Sequence, residues 1–288
     1  FSISRSRERT KGWGIPVPGD PTQTMYVWFD ALSNYINALG YAEDGEKFQK
    51  YWAKGDEIIH VIGKGINRFH AVYWPAMLLS AKGRLPSTIF VHGYLTSGGQ
   101  KMSKTIGNVV DPVAVIKKFG VDPLRYFLLR EYSPAEDGDY SESKLIARYN
   151  ADLANGLGNL VARVTTLAAA RGVLKLVAGE DVEKEVDTKI TEVRTRAKAA
   201  AEAFRFHEAL AIIWELVAYA DKYVNDHKPW AEKDNRKTLA NAIVLIDNIA
   251  ALLIPFLPST AERITKSIVW KSNNTLEIQK GAALFPRI

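Results

Sequence analysis

Three short apolar runs, at 25–29, 57–62 and 88–92, alternate with stretches of helical pattern in the first third of the chain. Each run has strand length and is rich in Val, Ile and aromatic residues. The first is followed by Asp30 and a helical stretch to Leu39, the second by Gly63, Lys64, Gly65 and a helix over about 67–81. The third opens onto a glycine- and lysine-rich loop at 98–105. Strand–helix–strand–helix–strand at these lengths predicts a parallel sheet with right-handed crossovers. Ligands of such sheets bind beyond the carboxyl ends of the strands, which here means Asp30, Gly63 to Gly65, His92 to Tyr94 and the lysine loop.

Beyond residue 110 the period changes to that of helices. Asp111-Pro112 and Asp122-Pro123 each read as an acidic N-cap followed by proline at the first helical position. The Pro-, Gly- and acid-rich segment 131–140 reads as a loop closing a short connecting region at 111–148. Ile190, Val193, Ala197, Ala201, Phe204, Leu210, Ile213, Leu216, Val217 and Ala220 recur at helical spacing and form a core stripe. A further apolar helix is expected over 239–255, and Ser259-Thr260-Ala261-Glu262 reads as a capping box opening another. Short polar breaks between these helices predict an antiparallel bundle.

With 288 residues and 47% hydrophobic composition, the chain has material for about two domains. A formal net charge of +6 favours a polyanionic partner. The absence of cysteine excludes disulfides and thiolate metal sites, and the five histidines lack zinc-like spacing; the expectation is a reducing, cytoplasmic setting with no metal site. No apolar run reaches the roughly 18 residues of a membrane span. The chain starts at Phe1 in folded-looking sequence, and we expect it to be a segment of something larger.

The loop itself reads Gly98-Gly99-Gln100-Lys101-Met102-Ser103-Lys104-Thr105. Flexible backbone beside two ammonium groups suits charge stabilisation on a polyphosphate, although a generic loop of this kind is more often a solvated basic surface. The word Lys-Met-Ser-Lys-Thr resembles the KMSKS signature of class I aminoacyl-tRNA synthetases, with Thr105 replacing the last serine. The segments 15–20, 25–36, 60–64, 68–77, 91–94 and 107–108 together resemble methionyl-tRNA synthetases. The resemblance covers most of residues 1–130 and continues more loosely to the C-terminus.

That resemblance implies an α/β plus all-α chain. Residues 1–110 are expected to be the C-terminal half of a Rossmann-like catalytic domain, 111–148 a stem-contact region, and 149–288 an anticodon-binding helix bundle. It implies that Lys101 and Lys104 act on the phosphates of ATP, with Gly93 also at the ATP site. It places Trp28, Ala31, Leu32, Tyr35, Ile66 and His70 around methionine, with Tyr35 and His70 near the thioether. A flexible, polarizable substrate of this kind suits an aromatic pocket with few polar groups. Asn159 and Arg163, four apart and so on one helical face, and Trp230 after Pro229 are expected to read the anticodon. Read without the resemblance, Trp28, Leu32 and Ile66 are ordinary core and Trp230 is a helix-end packing residue. One position departs: Gly65 stands where these enzymes usually carry aspartate.

The implied activity is ATP-dependent, Mg2+-assisted activation of methionine to methionyl-adenylate and transfer to the 3′ end of methionine tRNA. Lys101 and Lys104 are the expected catalytic residues, and a complementary N-terminal half carrying a HIGH-type motif is the expected partner. The alternatives are a class I synthetase for valine, isoleucine, leucine or cysteine, and a non-catalytic tRNA-binding module.

Overall fold

The computed structural model describes residues 3–172, 174–175, 182–271 and 275–288. The chain divides into two compact units, Phe1–Gly93 and Tyr94–Ile288.

In the first unit, β1 (Ser4–Ser6), β2 (Pro16–Val17) and β3 (Asp20–Met25) form an antiparallel sheet in the order β1-β3-β2. Helix α1 (Val27–Asn37) follows after a single extended residue, Tyr26. The run at 25–29 is therefore not a strand, which corrects the expectation above. Of its apolar residues, Trp28 joins a helical stripe in which Leu32 and Ile36 are buried and Leu39 packs against the same cluster, while Val27 and Phe29 are exposed. Spacing by four places them on one face, and packing of that face outweighs local β-propensity.

A short helix α2 (Glu46–Phe48) runs into a π-helical turn, Gln49–Ala53, which buries Trp52. Strand β4 (Ile59–Gly63) leads through a 3-10 turn (Lys64–Ile66) and a π-helical turn (Phe69–Tyr73) into α3 (Trp74–Ser80). Strand β5 (Thr88–His92) then pairs parallel to β4, with Ile59 opposite Thr88 and Gly63 opposite His92. Among the described residues of this unit, parallel pairing is confined to these two strands, and the three-strand expectation is corrected accordingly. Leu32, Ile36, Trp52, Ile58, Trp74 and Leu78 form the core.

The second unit opens with the hairpin β6 (Leu95–Ser97) and β7 (Gln100–Lys101). Helices α4 (Pro112–Phe119) and α5 (Val121–Glu131) follow, and Asp111 caps α4 as expected by accepting from the Val113 N–H at 2.9 Å. The segment 131–140 is not all loop: it ends in β8 (Gly138–Tyr140), which pairs parallel to β6. Helix α6 (Glu142–Arg148), a π-helical stretch (Tyr149–Gly158) and α7 (Asn159–Ala169) continue one another without a break. After β9 (Leu174–Lys175), the bundle is completed by α8 (Lys184–Glu202), α9 (Phe206–His227), α10 (Arg236–Leu253) and α11 (Pro258–Ser267). The hairpin strands β10 (Ile268–Lys271) and β11 (Thr275–Ile278) form a sheet with β9. The apolar stripe at 190–220 is broken at Phe204, which takes a left-handed φ of 58° between α8 and α9. Leu153, Leu157, Leu160, Leu210, Leu216 and Leu239 are completely buried, each worth about 1.5–3 kcal/mol of transfer free energy.

Two capping expectations are corrected. Asp122 lies in the first turn of α5 behind Gly120 and does not cap its own helix. Its buried Oδ2 instead accepts from the Thr260 N–H at 2.6 Å, so it caps α11 across 138 residues of sequence. The Ser259 box gives α11 no side-chain cap. Arg125, one turn along α5, donates to the carbonyls of Pro255 and Phe256 beyond the end of α10. One face of α5 thus satisfies both helix ends at the α10–α11 corner. Asp122→Ala is expected to cost about 1 kcal/mol, the usual loss for an N-cap, with Ser259→Ala near neutral. Denaturant unfolding of the two variants checks this; equal midpoints would return the cap to Ser259.

Candidate functional site

In the first unit, the expected pocket residues come from α1 and from the turns after β4. His70 is fully buried, and its Nδ1 lies 3.0 Å from the Ile66 carbonyl, which can only accept. Nδ1 therefore carries the proton, and in the neutral ring Nε2 accepts from the Tyr35 hydroxyl at 2.8 Å. Burial raises the Tyr35 pKa, which keeps that hydroxyl protonated. Trp28 stacks on Phe69 at 4.6 Å between ring centroids and meets His70 edge-on at 5.9 Å. Leu32 is buried beneath them in the core cluster, whereas Ala31 is exposed on α1. Trp28 and Leu32, together with Phe29, Tyr73, Ala76 and Met77, line a groove of about 630 Å3 between α1 and α3; Tyr35, Ile66 and His70 do not line it.

Two residues missed in the sequence belong to this cluster. The Trp74 indole donates to His60 Nε2 at 3.2 Å, and the Tyr35 ring lies 4.3 Å from that of His60. Burial, with the nearby His70 as a second cause, pushes His60 down to about 4, so it is a neutral acceptor at neutral pH. The signals were present: His60 occupies an inward position of β4, and Trp74 follows His70 by one helical turn. The whole cluster is aromatic and uncharged at neutral pH on the His60 side, which suits an apolar, polarizable side chain. Gly65 lies exposed in the 3-10 turn, so no side-chain carboxylate is offered there. The Gly93 carbonyl accepts from His92 Nδ1 at 2.8 Å.

In the second unit, Lys101 and Lys104 lie on and after the β6–β7 hairpin. Gly98 and Gly99 form its turn with φ of 63° and 71°, values that suit a type I′ hairpin turn and favour glycine. Lys101 pairs with Thr96 in the ladder, and its ammonium stands 5.9 Å from the Tyr94 ring centroid. Asn108 closes the segment beyond: its Oδ1 accepts from the Ser103 N–H at 2.8 Å, and its Nδ2 donates to the carbonyls of Ser97 and Lys101. Among the described residues, Lys104 has no hydrogen bond or ion pair and is exposed.

Further along the same unit, the structure brings Arg163 and Trp230 together. The Arg163 guanidinium lies 5.7 Å from the Trp230 ring centroid and donates to Asp221 and Asn225 of α9. Asn159 is exposed one turn earlier on α7. Trp230 is 54% exposed, so it is not a packed helix end.

Two family patterns account for most of the chain. The one described as tRNA synthetases class I (M) matches residues 1–165, and the anticodon-binding domain of tRNA ligase matches 183–283. The chain belongs to the class I (M) tRNA synthetase family. A methionine–tRNA ligase of Mesorhizobium japonicum is 43% identical over 272 residues, 92% of this chain and 51% of its own length. One from Thermotoga maritima is 38% identical over 286 residues, 96% and 44% of the two chains. A solved Mycobacterium tuberculosis methionyl-tRNA synthetase in complex with methionyl-adenylate is 37% identical with a TM-score of 0.87, covering 100% of this chain and 60% of that one. The α/β plus all-α architecture is thus that of a methionyl-tRNA synthetase, with the small parallel sheet followed by the helical anticodon-binding domain. The chain spans about half the length of the curated relatives it matches. Among the described residues, no helix is long and apolar enough to cross a membrane, and no group of three or more His, Cys, Asp or Glu is placed to hold a metal ion.

Proposed function

We propose that the chain serves in a methionine–tRNA ligase, activating methionine with ATP to methionyl-adenylate and passing it to the 3′ end of methionine tRNA in the cytoplasm. The observation that carries this reading is the aromatic cluster in which Tyr35 is bonded to buried His70 and walled by Trp28. Its hydroxyl is committed as a donor and its rings offer faces and edges, surroundings that suit an apolar, polarizable thioether.

In this reading Trp28, Ala31, Leu32, Tyr35, Ile66 and His70 hold methionine. Lys101 and Lys104, with Gly93, serve ATP, and the ammonium groups neutralise charge as pyrophosphate leaves. ATP enters with Mg2+ as counterion. Residues 1–110 carry the catalytic half, 111–148 meet the tRNA stem, and Asn159, Arg163 and Trp230 in 149–288 read the anticodon. The relatives run to about twice this length, and the remainder of such a polypeptide would grip ATP from the opposite side.

The test is amino-acid-dependent ATP–pyrophosphate exchange by the full-length protein, run with methionine, valine, isoleucine, leucine and cysteine. Methionine alone is expected to support exchange. Exchange with another amino acid would reassign the pocket, and tRNA binding with no exchange at all would leave a non-catalytic tRNA-binding protein.

A further inference from the structure

Asp139 of β8 sits against the turn of the lysine hairpin, opposite Thr96 in the β6–β8 register. A single oxygen, Oδ1, accepts from the Thr96 hydroxyl at 2.7 Å and from the Gly99 N–H at 2.8 Å. The strand carrying it is itself fixed: the Tyr132 hydroxyl donates to the Asp139 carbonyl at 2.8 Å, and the Gly138 N–H donates to the Tyr94 carbonyl at 2.9 Å. Besides the β6–β8 pairing and the Asn108 amide, which donates to the Ser97 and Lys101 carbonyls, the hairpin has only its own short ladder. Its ladder consists of two residue pairs, Thr96 with Lys101 and Ser97 with Gln100. Its turn is two glycines with no side chain to restrain them, the most permissive backbone available.

The geometry points to Asp139 as the positioning residue of the lysine hairpin, a carboxylate that clamps the Gly98 and Gly99 turn and thereby sets where Lys101 and Lys104 are presented. The role rests on the reading above that these lysines serve ATP. Thr96, one of the two groups it grips, is the cross-strand partner of Lys101, and Gly99 lies two residues before that lysine. Asn108 performs the matching task on the far side, holding Ser103 next to Lys104. Between them the two side chains fix both ends of the 98–108 segment and engage neither lysine ammonium. A charged acceptor binds such donors more strongly than a neutral one, and the bonds from Thr96 and Gly99 hold the Asp139 carboxyl below its ordinary value, so it is ionised throughout the neutral range. Preorganisation is what these bonds supply: the lysines need not be gathered at the moment charge develops.

The experiment uses the full-length enzyme and methionine-dependent pyrophosphate exchange. Asp139→Ala is expected to lower kcat about tenfold to a hundredfold, the scale on which small misplacements act, with a much smaller change in the KM for ATP. Asp139→Asn, which keeps an acceptor oxygen, should recover most of the rate. In a Lys104→Ala background, adding Asp139→Ala should cost little more, because both changes disable one device. Trypsin should cut after Lys101 and Lys104 faster in Asp139→Ala at an unchanged unfolding midpoint. If the alanine variant fails to fold, Thr96→Val, which removes one donor and keeps the shape, carries the same comparison. A wild-type rate in Asp139→Ala, no rescue by asparagine, or losses that multiply in the double variant would overturn the assignment. Absence of methionine-dependent exchange in the wild type, or full activity in Lys104→Ala, would instead bring down the functional reading on which it rests.

Discussion

Lys104→Ala in the full-length enzyme is expected to slow methionyl-adenylate formation by roughly a hundredfold to a thousandfold, a loss of ~3–4 kcal/mol of transition-state stabilisation. ATP binding in the ground state should change far less. Lys101 is held in the hairpin ladder beside Tyr94, whereas Lys104 is exposed and unpaired among the described residues. It therefore has no ground-state partner to give up and can act where charge builds on the departing pyrophosphate. An interaction made only in the transition state lowers kcat and kcat/KM together, whereas one made equally with bound ATP raises KM alone. Pyrophosphate exchange measured across ATP concentration separates the two. An unchanged kcat would remove Lys104 from the chemistry.

What was legible in the sequence follows from how local each determinant is. Strands β4 and β5 are runs of β-branched residues whose pairing needs only a helical crossover, and they fell where the pattern placed them. Residues 25–29 misled because the same apolar letters satisfy a strand and the first turn of a helix. The arbiter was the burial of Leu32 and Ile36 further along, a tertiary fact. Strand β8 was hidden because Gly138, Asp139 and Tyr140 have turn composition and become a strand through β6, 43 residues earlier in the chain. The α11 cap failed for the same reason: Ser259 supplied the local motif, but Asp122 reached the amide first from another helix.

The candidate sites divide in the same way. Lys101 and Lys104 lie in one contiguous motif, whereas Tyr35 and His70 are expected only through the resemblance to methionyl-tRNA synthetases. His60, Trp74 and Asp139 were not expected, because each matters through a hydrogen bond to a residue 14 or more positions away. The Tyr35–His70 bond, closing 35 residues of chain, could be anticipated only through family resemblance. No periodicity encodes it.

Trp230→Ala should impair charging of methionine tRNA while leaving methionyl-adenylate synthesis intact. The ring is placed rather than packed. Lys228 ends α9 in a left-handed conformation with φ of 48°, and the Asn235 amide holds the Pro229 carbonyl, so the next residue projects outward. Arg163, kept in line by Asp221 and Asn225, lies within cation–π distance of the indole and leaves more than half of the residue's surface to solvent. An exposed indole beside a guanidinium is a stacking platform for an unpaired base, worth ~1–3 kcal/mol by alanine substitution, or roughly five- to 150-fold in kcat/KM for tRNA. Trp230→Phe should recover part of it. Because more than half of the residue is exposed, the unfolding midpoint should move little. The informative comparison is therefore between two assays on one variant: tRNA charging should fall while pyrophosphate exchange stays level. Equal losses in both would mean that Trp230 supports the bundle and that the anticodon is read elsewhere.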